Sequence, residues 1–80
     1  MFNITANKGF EITFANGNTV SVQFGGGNYC ENRYITEDGR GQSSPDAECL
    51  AWDKDGLYLT EALGWQTPEE VAAFIAKHSA

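Results

Sequence analysis

The stretch GFEITFANGNTVSVQF, residues 9 to 24, decides the fold. Phe10, Ile12 and Phe14 alternate with Glu11 and Thr13, and beyond Ala15-Asn16-Gly17 the alternation resumes as Val20, Val22 and Phe24 against Ser21 and Gln23. Side chains two residues apart share one face of a strand, so each run is a strand with a single apolar face. Parity then sets the register. A two-residue Asn16-Gly17 turn would place Phe14 opposite Thr19 and Ile12 opposite Ser21, sending the two apolar sets to opposite faces of the ribbon. A three-residue loop of Ala15, Asn16 and Gly17, with Gly17 in the left-handed region, pairs Ile12 with Val20 and Phe10 with Val22.

Upstream, Phe2 and Ile4 alternate with Asn3 and Thr5 before Asn7-Lys8-Gly9. If Gly9 plays the part of Gly17, Ile4 faces Ile12, Phe2 faces Phe14, and residues 2 to 24 form a three-stranded meander; a single bent strand is the alternative. Downstream, Leu50 and Trp52 lie across the DKDG turn from Leu57 and Leu59. A four-residue loop there pairs Trp52 with Leu57 and Leu50 with Leu59, leaving Cys49, Ala51 and Tyr58 on the other face. The last element is a helix over 68–78. Thr67 is its N-cap, Pro68 its first residue and Glu70 the capping-box glutamate, and Val71, Phe74, Ile75 and His78 share one side. His78 reads as a residue that offsets the helix dipole. The expected fold is therefore α+β: an antiparallel sheet of four to five strands, two or three of them N-terminal and two from the hairpin 48–60, with the helix packed on one face.

An 80-residue chain makes one small domain, 1–80, whose folding hides only roughly 60–65% of its surface, so a deep catalytic cleft is not expected. Eleven acidic against five basic residues give a net charge of −6, which disfavours direct contact with nucleic acid or anionic membranes and favours basic or neutral partners. No apolar run is long enough to span a bilayer, and MFNITANKGF lacks the marks of a signal peptide, so a cytoplasmic location is expected. Cys30 and Cys49 lack metal or redox spacing and read as small apolar residues in a reducing compartment; secretion would instead let them pair. TEDGRGQSSPD, residues 36 to 46, contains no large apolar side chain and reads as a mobile loop.

Known chemistries fit poorly. Aligning Gly56 with the invariant glycine of a calcium loop puts Ala51 and Ala62 at positions that need oxygen ligands, so DKDG is a turn. One histidine and two distant cysteines make no metal cluster, and no cofactor is expected. GGGN, residues 25 to 28, is not followed by a helix and reads as a strand exit or bulge rather than a phosphate cradle. Glu37-Asp38 lies in the loop, where nothing tunes paired acids, and no catalytic residue is assigned.

The remaining signal is aromatic, at 12% of the chain. One helix cannot cover both faces of a sheet, so some of Tyr29, Tyr34, Tyr58 and Trp52 should stay partly exposed beside Arg33, Asp53 and Asp55. Exposed aromatics with a charged rim are the composition of an interface hot spot; completion of the core or a self-association surface would use the same residues. The expected partner-binding set is Tyr29, Arg33, Tyr34, Trp52, Asp53 and Asp55.

GFEITFANGNTVSVQFGGGNYCENR, DAECLAWDKDG and GWQTPEEVAAFI together resemble small, mostly uncharacterised proteins encoded by tailed bacteriophages and prophages. The likeness covers most of the chain outside 36–46 and carries no catalytic residue. It implies a non-enzymatic protein, acting in the cytoplasm of the infected bacterium, that captures and inhibits a host protein such as a CRISPR or other anti-phage defence component. An alternative is a small-ligand binder, oligomeric, that sequesters a nucleotide immune signal through the GGGN amides, Arg33 or Arg40 and a stacking aromatic. A DNA mimic ranks last, because the acids are scattered over turns, loop and helix start.

Overall fold

The computed structural model describes residues 1–5, 8–25, 28–30 and 43–80. Five strands, β1 (Phe2–Ile4), β2 (Gly9–Thr13), β3 (Thr19–Gln23), β4 (Ala47–Trp52) and β5 (Leu63–Gln66), precede one helix, α1 (Pro68–Ser79). The strands form one antiparallel sheet in chain order, with β1 and β5 at its edges.

The register of β2 on β3 is the one that parity selects, Phe10 opposite Val22 and Ile12 opposite Val20. The connecting loop closes through Phe14 N to Asn18 O at 2.9 Å and Gly17 N to Phe14 O at 3.0 Å, with Gly17 at φ 92°. The N-terminal segment forms the third strand of the meander, but β1 sits two residues from its expected register, with Ile4 opposite Phe10 and Phe2 opposite Ile12. Gly9 explains the shift. It lies inside β2 at φ 155°, where a Cβ would collide with the Val22 carbonyl oxygen, so its missing side chain serves close strand contact rather than the turn. A shift of two keeps every side chain on its face.

The second hairpin departs further. Trp52 pairs with Tyr58 by an isolated bridge, not with Leu57, and no strand forms over 57–60. Asp53 N bonds Leu57 O at 2.9 Å, Gly56 N bonds Asp53 O at 3.0 Å, and Gly56 has φ 82°. The DKDG turn is thus a second three-residue loop, closed by the same two bonds as the loop at Gly17. The two loops adjoin, since a Cβ on Gly17 would come within 3.0 Å of the Lys54 Cβ. The outer strand beside β4 is instead β5, joined to it across a bulge.

The place of β4 in the sheet decides which of its two faces meets α1. Its pairing with β3 sets Ala51 opposite Val20 and Cys49 opposite Val22, so Ala47, Cys49 and Ala51 face α1, and Leu50 and Trp52 face away. Small residues suit the position, because α1 packs against β3, β4 and β5 and needs a floor that lets it approach. Val20, Val22, Ala47, Cys49, Ala51 and Phe74 form the buried cluster, flanked by Phe10, Phe14, Phe24, Leu63, Val71 and Ile75.

The helix begins as expected. Glu70 N donates to Thr67 Oγ1 at 3.2 Å, Thr67 N donates to Glu70 Oε1 at 3.0 Å, and Glu69 and Glu70 sit in the first turn. The far end is held by the β2–β3 loop. Asn16 Nδ2 and Asn18 Nδ2 donate to the His78 carbonyl at 2.9 and 3.0 Å, and Asn16 Nδ2 also reaches Ala80 O at 3.1 Å. These bonds satisfy carbonyls that a helix C-terminus leaves without internal partners. Of the loop expected at 36–46, residues 36–42 lie outside the described residues; in the remainder Ser44 Oγ donates to Asp46 O at 2.7 Å.

Substitution Gly9→Ala should cost more than about 2 kcal/mol, through the clash with β3 and the unfavourable φ, whereas Thr67→Ala should cost about 1 kcal/mol as an ordinary lost cap. Urea unfolding of the two variants beside wild type measures both, and an undiminished midpoint for Gly9→Ala would contradict the strand contact.

Candidate binding face

The sheet face turned away from α1 carries Thr13, Thr19, Ser21 and Gln23 at its centre. Thr13 Oγ1 and Thr19 Oγ1 lie 2.9 Å apart, and Gln23 Nε2 donates to Ser21 Oγ and Thr5 Oγ1, each at 3.1 Å. Beside this polar strip β4 supplies Glu48, Leu50 and Trp52. Two aromatic pairs lie at the two ends of β4, beside Trp52 and beside Glu48, whose backbone positions are about 13 Å apart at the usual rise per strand residue.

At one end Trp52 meets Tyr58 edge-on, with ring centroids 6.4 Å apart and an interplanar angle of 77°. Tyr58 is 72% exposed and Leu57 66%, and Trp52 is half-buried. The adjoining turn is made rigid by Asp53, whose Oδ1 accepts from Asp55 N at 2.9 Å and Leu57 N at 3.0 Å. Asp53 therefore shapes the loop, and Asp55 is the acid left exposed beside the rings.

At the other end Tyr29 stacks on Trp65, with centroids 5.6 Å apart and planes at 23°. Both are about half exposed. Tyr29 N donates to Glu48 Oε2 at 2.7 Å, and Trp65 N donates to Tyr29 O at 2.9 Å. Gly64 permits the approach, since a Cβ there would lie 2.7 Å from the Tyr29 Cβ. Trp65 has φ 53°, the one non-glycine among the described residues in the left-handed region. Backbone strain of this kind persists where surrounding contacts impose it, here the bulge and the bond to Tyr29.

Of the six residues expected to bind, Trp52, Asp53 and Asp55 are thus brought together, Tyr29 stands at the far end of β4, and Arg33 and Tyr34 lie outside the described residues. Trp65 and Leu57 were not in the expected set. The signal for Trp65 is the Gly64-Trp65 pair just ahead of the Thr67 cap; Leu57 would have been found by reading DKDG as a three-residue loop. Gly25, at φ 78°, begins a turn in which Asn28 N reaches Gly25 O at 3.2 Å and Asn28 Nδ2 reaches Phe24 O at 2.7 Å, while Gly26 and Gly27 are not described.

The groups most capable of chemistry are held neutral. Cys49 is fully buried, and its thiol is pushed up to about 11, first by burial and then by Glu48 and Glu70. His78 is only 7% exposed, with its ring 4.6 Å from Phe74 and no hydrogen-bond partner at Nε2 among the described residues. Burial, followed by Lys77, lowers its pKa from the ordinary value. His78 is thus buried against Phe74, a setting that disfavours the charged form best suited to offset the helix dipole. Among the described residues no three His, Cys, Asp or Glu side chains gather to hold a metal, and no described helix is long and apolar enough to cross a membrane. Comparisons with protein-family models, curated proteins and solved structures yield no match.

The lowered His78 pKa fixes the sign of a pH effect. The unfolded chain takes up a proton near the ordinary histidine pKa of about 6.5 that the folded protein resists, so stability should fall as pH drops through that value. Between about pH 7.5 and about pH 5.5 the urea midpoint of wild type should decline more steeply than that of His78→Leu. Parallel slopes would mean that the ring is protonated without penalty in the folded state.

Proposed function

We propose that this chain is a non-enzymatic binding protein that captures and inhibits another protein through the Trp52–Tyr58 end of β4. The observation that carries the reading is the exposed Tyr58 ring, seated edge-on against Trp52 and next to exposed Leu57, on a turn whose backbone Asp53 makes rigid. Large aromatic groups held in place lose little conformational entropy on contact, which suits them to the centre of an interface. The adjoining turn carries Asp53 and Asp55, and a further acid, Glu48, lies beside Tyr29 at the other end of β4. With a net charge of −6, this favours a partner whose contact surface is basic, with Arg or Lys able to lie over the rings. The resemblance to small phage proteins gives the biological setting, a protein of the infected bacterium as target and an anti-phage defence component as its kind.

The test is an affinity pull-down from bacterial lysate with tagged wild type, Tyr58→Ala and Trp52→Ala, followed by binding measurements on the partner identified. Wild type should retain one stoichiometric protein. Each variant should bind it at least about tenfold more weakly, the effect of losing about 1.4 kcal/mol at a hot spot, while circular dichroism shows an unchanged fold. Undiminished binding by a folded Tyr58→Ala variant would exclude this face.

A further inference from the structure

We propose that the open edge strand β1 pairs with β1 of a second copy of this chain about a two-fold axis at Asn3. Two halves would then share one continuous ten-stranded sheet, with both helices on the same side.

The backbone supplies the first part of the argument. Met1 and Thr13 exchange both of their main-chain bonds, Met1 N to Thr13 O at 3.1 Å and Thr13 N to Met1 O at 2.8 Å, and Thr5 N reaches Gly9 O at 3.0 Å. In an antiparallel ladder bonded and non-bonded pairs alternate, so the intervening residues Phe2 and Ile4 direct their N–H and C=O groups away from β2, toward the open edge. An antiparallel second β1 centred on Asn3 sets Phe2 of one copy opposite Ile4 of the other, twice. Those are the residues whose groups face outward, and four hydrogen bonds close without any change of register.

The side chains supply the second part. Phe2, Ile4 and Met1 are 68%, 83% and 83% exposed. Phe2 and Ile4 lie on the apolar face of the sheet, where Phe2 meets Phe10 edge-on at 6.2 Å, and Phe10 in turn lines a groove of about 350 Å³ against Val71 and Ile75. The helix packs on β3, β4 and β5, and among the described residues no element covers the part of this face on β1. Joining two copies would bury Phe2 and Ile4 of each beside those of the other. With Met1 and flanking backbone, complete burial would reach roughly 1,000 Å² in total, the area that separates a specific interface from a weak one.

Charge decides in favour of a second copy. A chain of net charge −6 repels its like over most of its surface, yet Met1 to Thr5 carries no charged side chain and no proline. Those are the devices by which edge strands are ordinarily kept from pairing. A basic partner, by contrast, finds no acid on β1 to recognise.

The experiment is sedimentation equilibrium on the full chain, with variants at the axis and beside it. Wild type should show twice the chain mass of 8.7 kDa. Ile4→Lys, which places a charge in the seam, and Ile4→Pro, which removes only an outward N–H, should both return the mass of one chain, while Leu57→Lys on the other patch stays doubled. A two-fold at Asn3 also brings the two Cα atoms there to about 4.5 Å, close enough for a disulfide. Asn3→Cys should therefore cross-link under mild oxidation and Phe2→Cys should not; Cys30 and Cys49, both fully buried, stay out of the reaction. A single-chain mass for wild type up to concentrations on the order of a millimolar, or a doubled mass in both folded Ile4 variants, overturns the proposal. If the Ile4 variants fail to fold, the cysteine pair decides: absent cross-linking, or equal cross-linking at residues 2 and 3, overturns it.

Discussion

The pairing of β3 with both of its neighbours is the constraint from which the rest of the domain follows. It turns Val20 and Val22 toward α1, where they are almost fully buried, and Thr19 and Ser21 toward the opposite side. Because pleat alternation is carried across every ladder, this one choice of phase places Phe10 and Ile12 on β2 and Ala47, Cys49 and Ala51 on β4 on the helix side. Trp52 is thereby sent to the other side. The aromatic face is thus a consequence of how the core is phased, and shifting β3 by one residue would exchange the two.

What was legible in the sequence was local. The Ala15-Asn16-Gly17 loop could be deduced because two alternating runs flank it, and only one loop length puts both apolar sets together. The capping box at Thr67 and Glu70 was legible because its bonds join residues three apart. The pairing of the second hairpin was not legible, because Leu50, Trp52, Leu57 and Leu59 suggest partners for one another, whereas Trp52 meets Tyr58 in a single bridge and the strand beside β4 is β5. Gly56 held the missing clue: it occupies the same place in its loop as Gly17 and has a similar φ. His78 carries two signals that point opposite ways. Its spacing from Phe74 marks the buried side, but its place at a helix end suggests solvent, and only the neighbouring hairpin loop resolves the conflict.

The surface shows a division of character. Acidic side chains gather at the turn after β4 and at the start of α1, and the β1 edge carries none. Among the described residues the aromatic side chains most exposed outside the core occur in pairs, Phe2 with Phe10, Tyr29 with Trp65 and Trp52 with Tyr58, so each ring is held by a neighbour. The strained backbone at Trp65 belongs to the first of these pairs, where a bulge, a glycine and a main-chain bond converge on a single side chain.

The contact of Asn16 and Asn18 with the His78 carbonyl bears on how the chain reaches this state. The sheet is a meander in which each strand pairs with the one made just before it, an arrangement of low loop-closure cost that can assemble stepwise as the polypeptide leaves the ribosome. Its apolar floor is then complete before the helix that covers it has emerged. The asparagine clamp joins residues 62 and 60 positions apart and can close only after α1 has docked. It acts as a latch on a fold otherwise built from neighbours, and until it closes the nascent sheet presents an open hydrophobic surface to chaperones and to other chains.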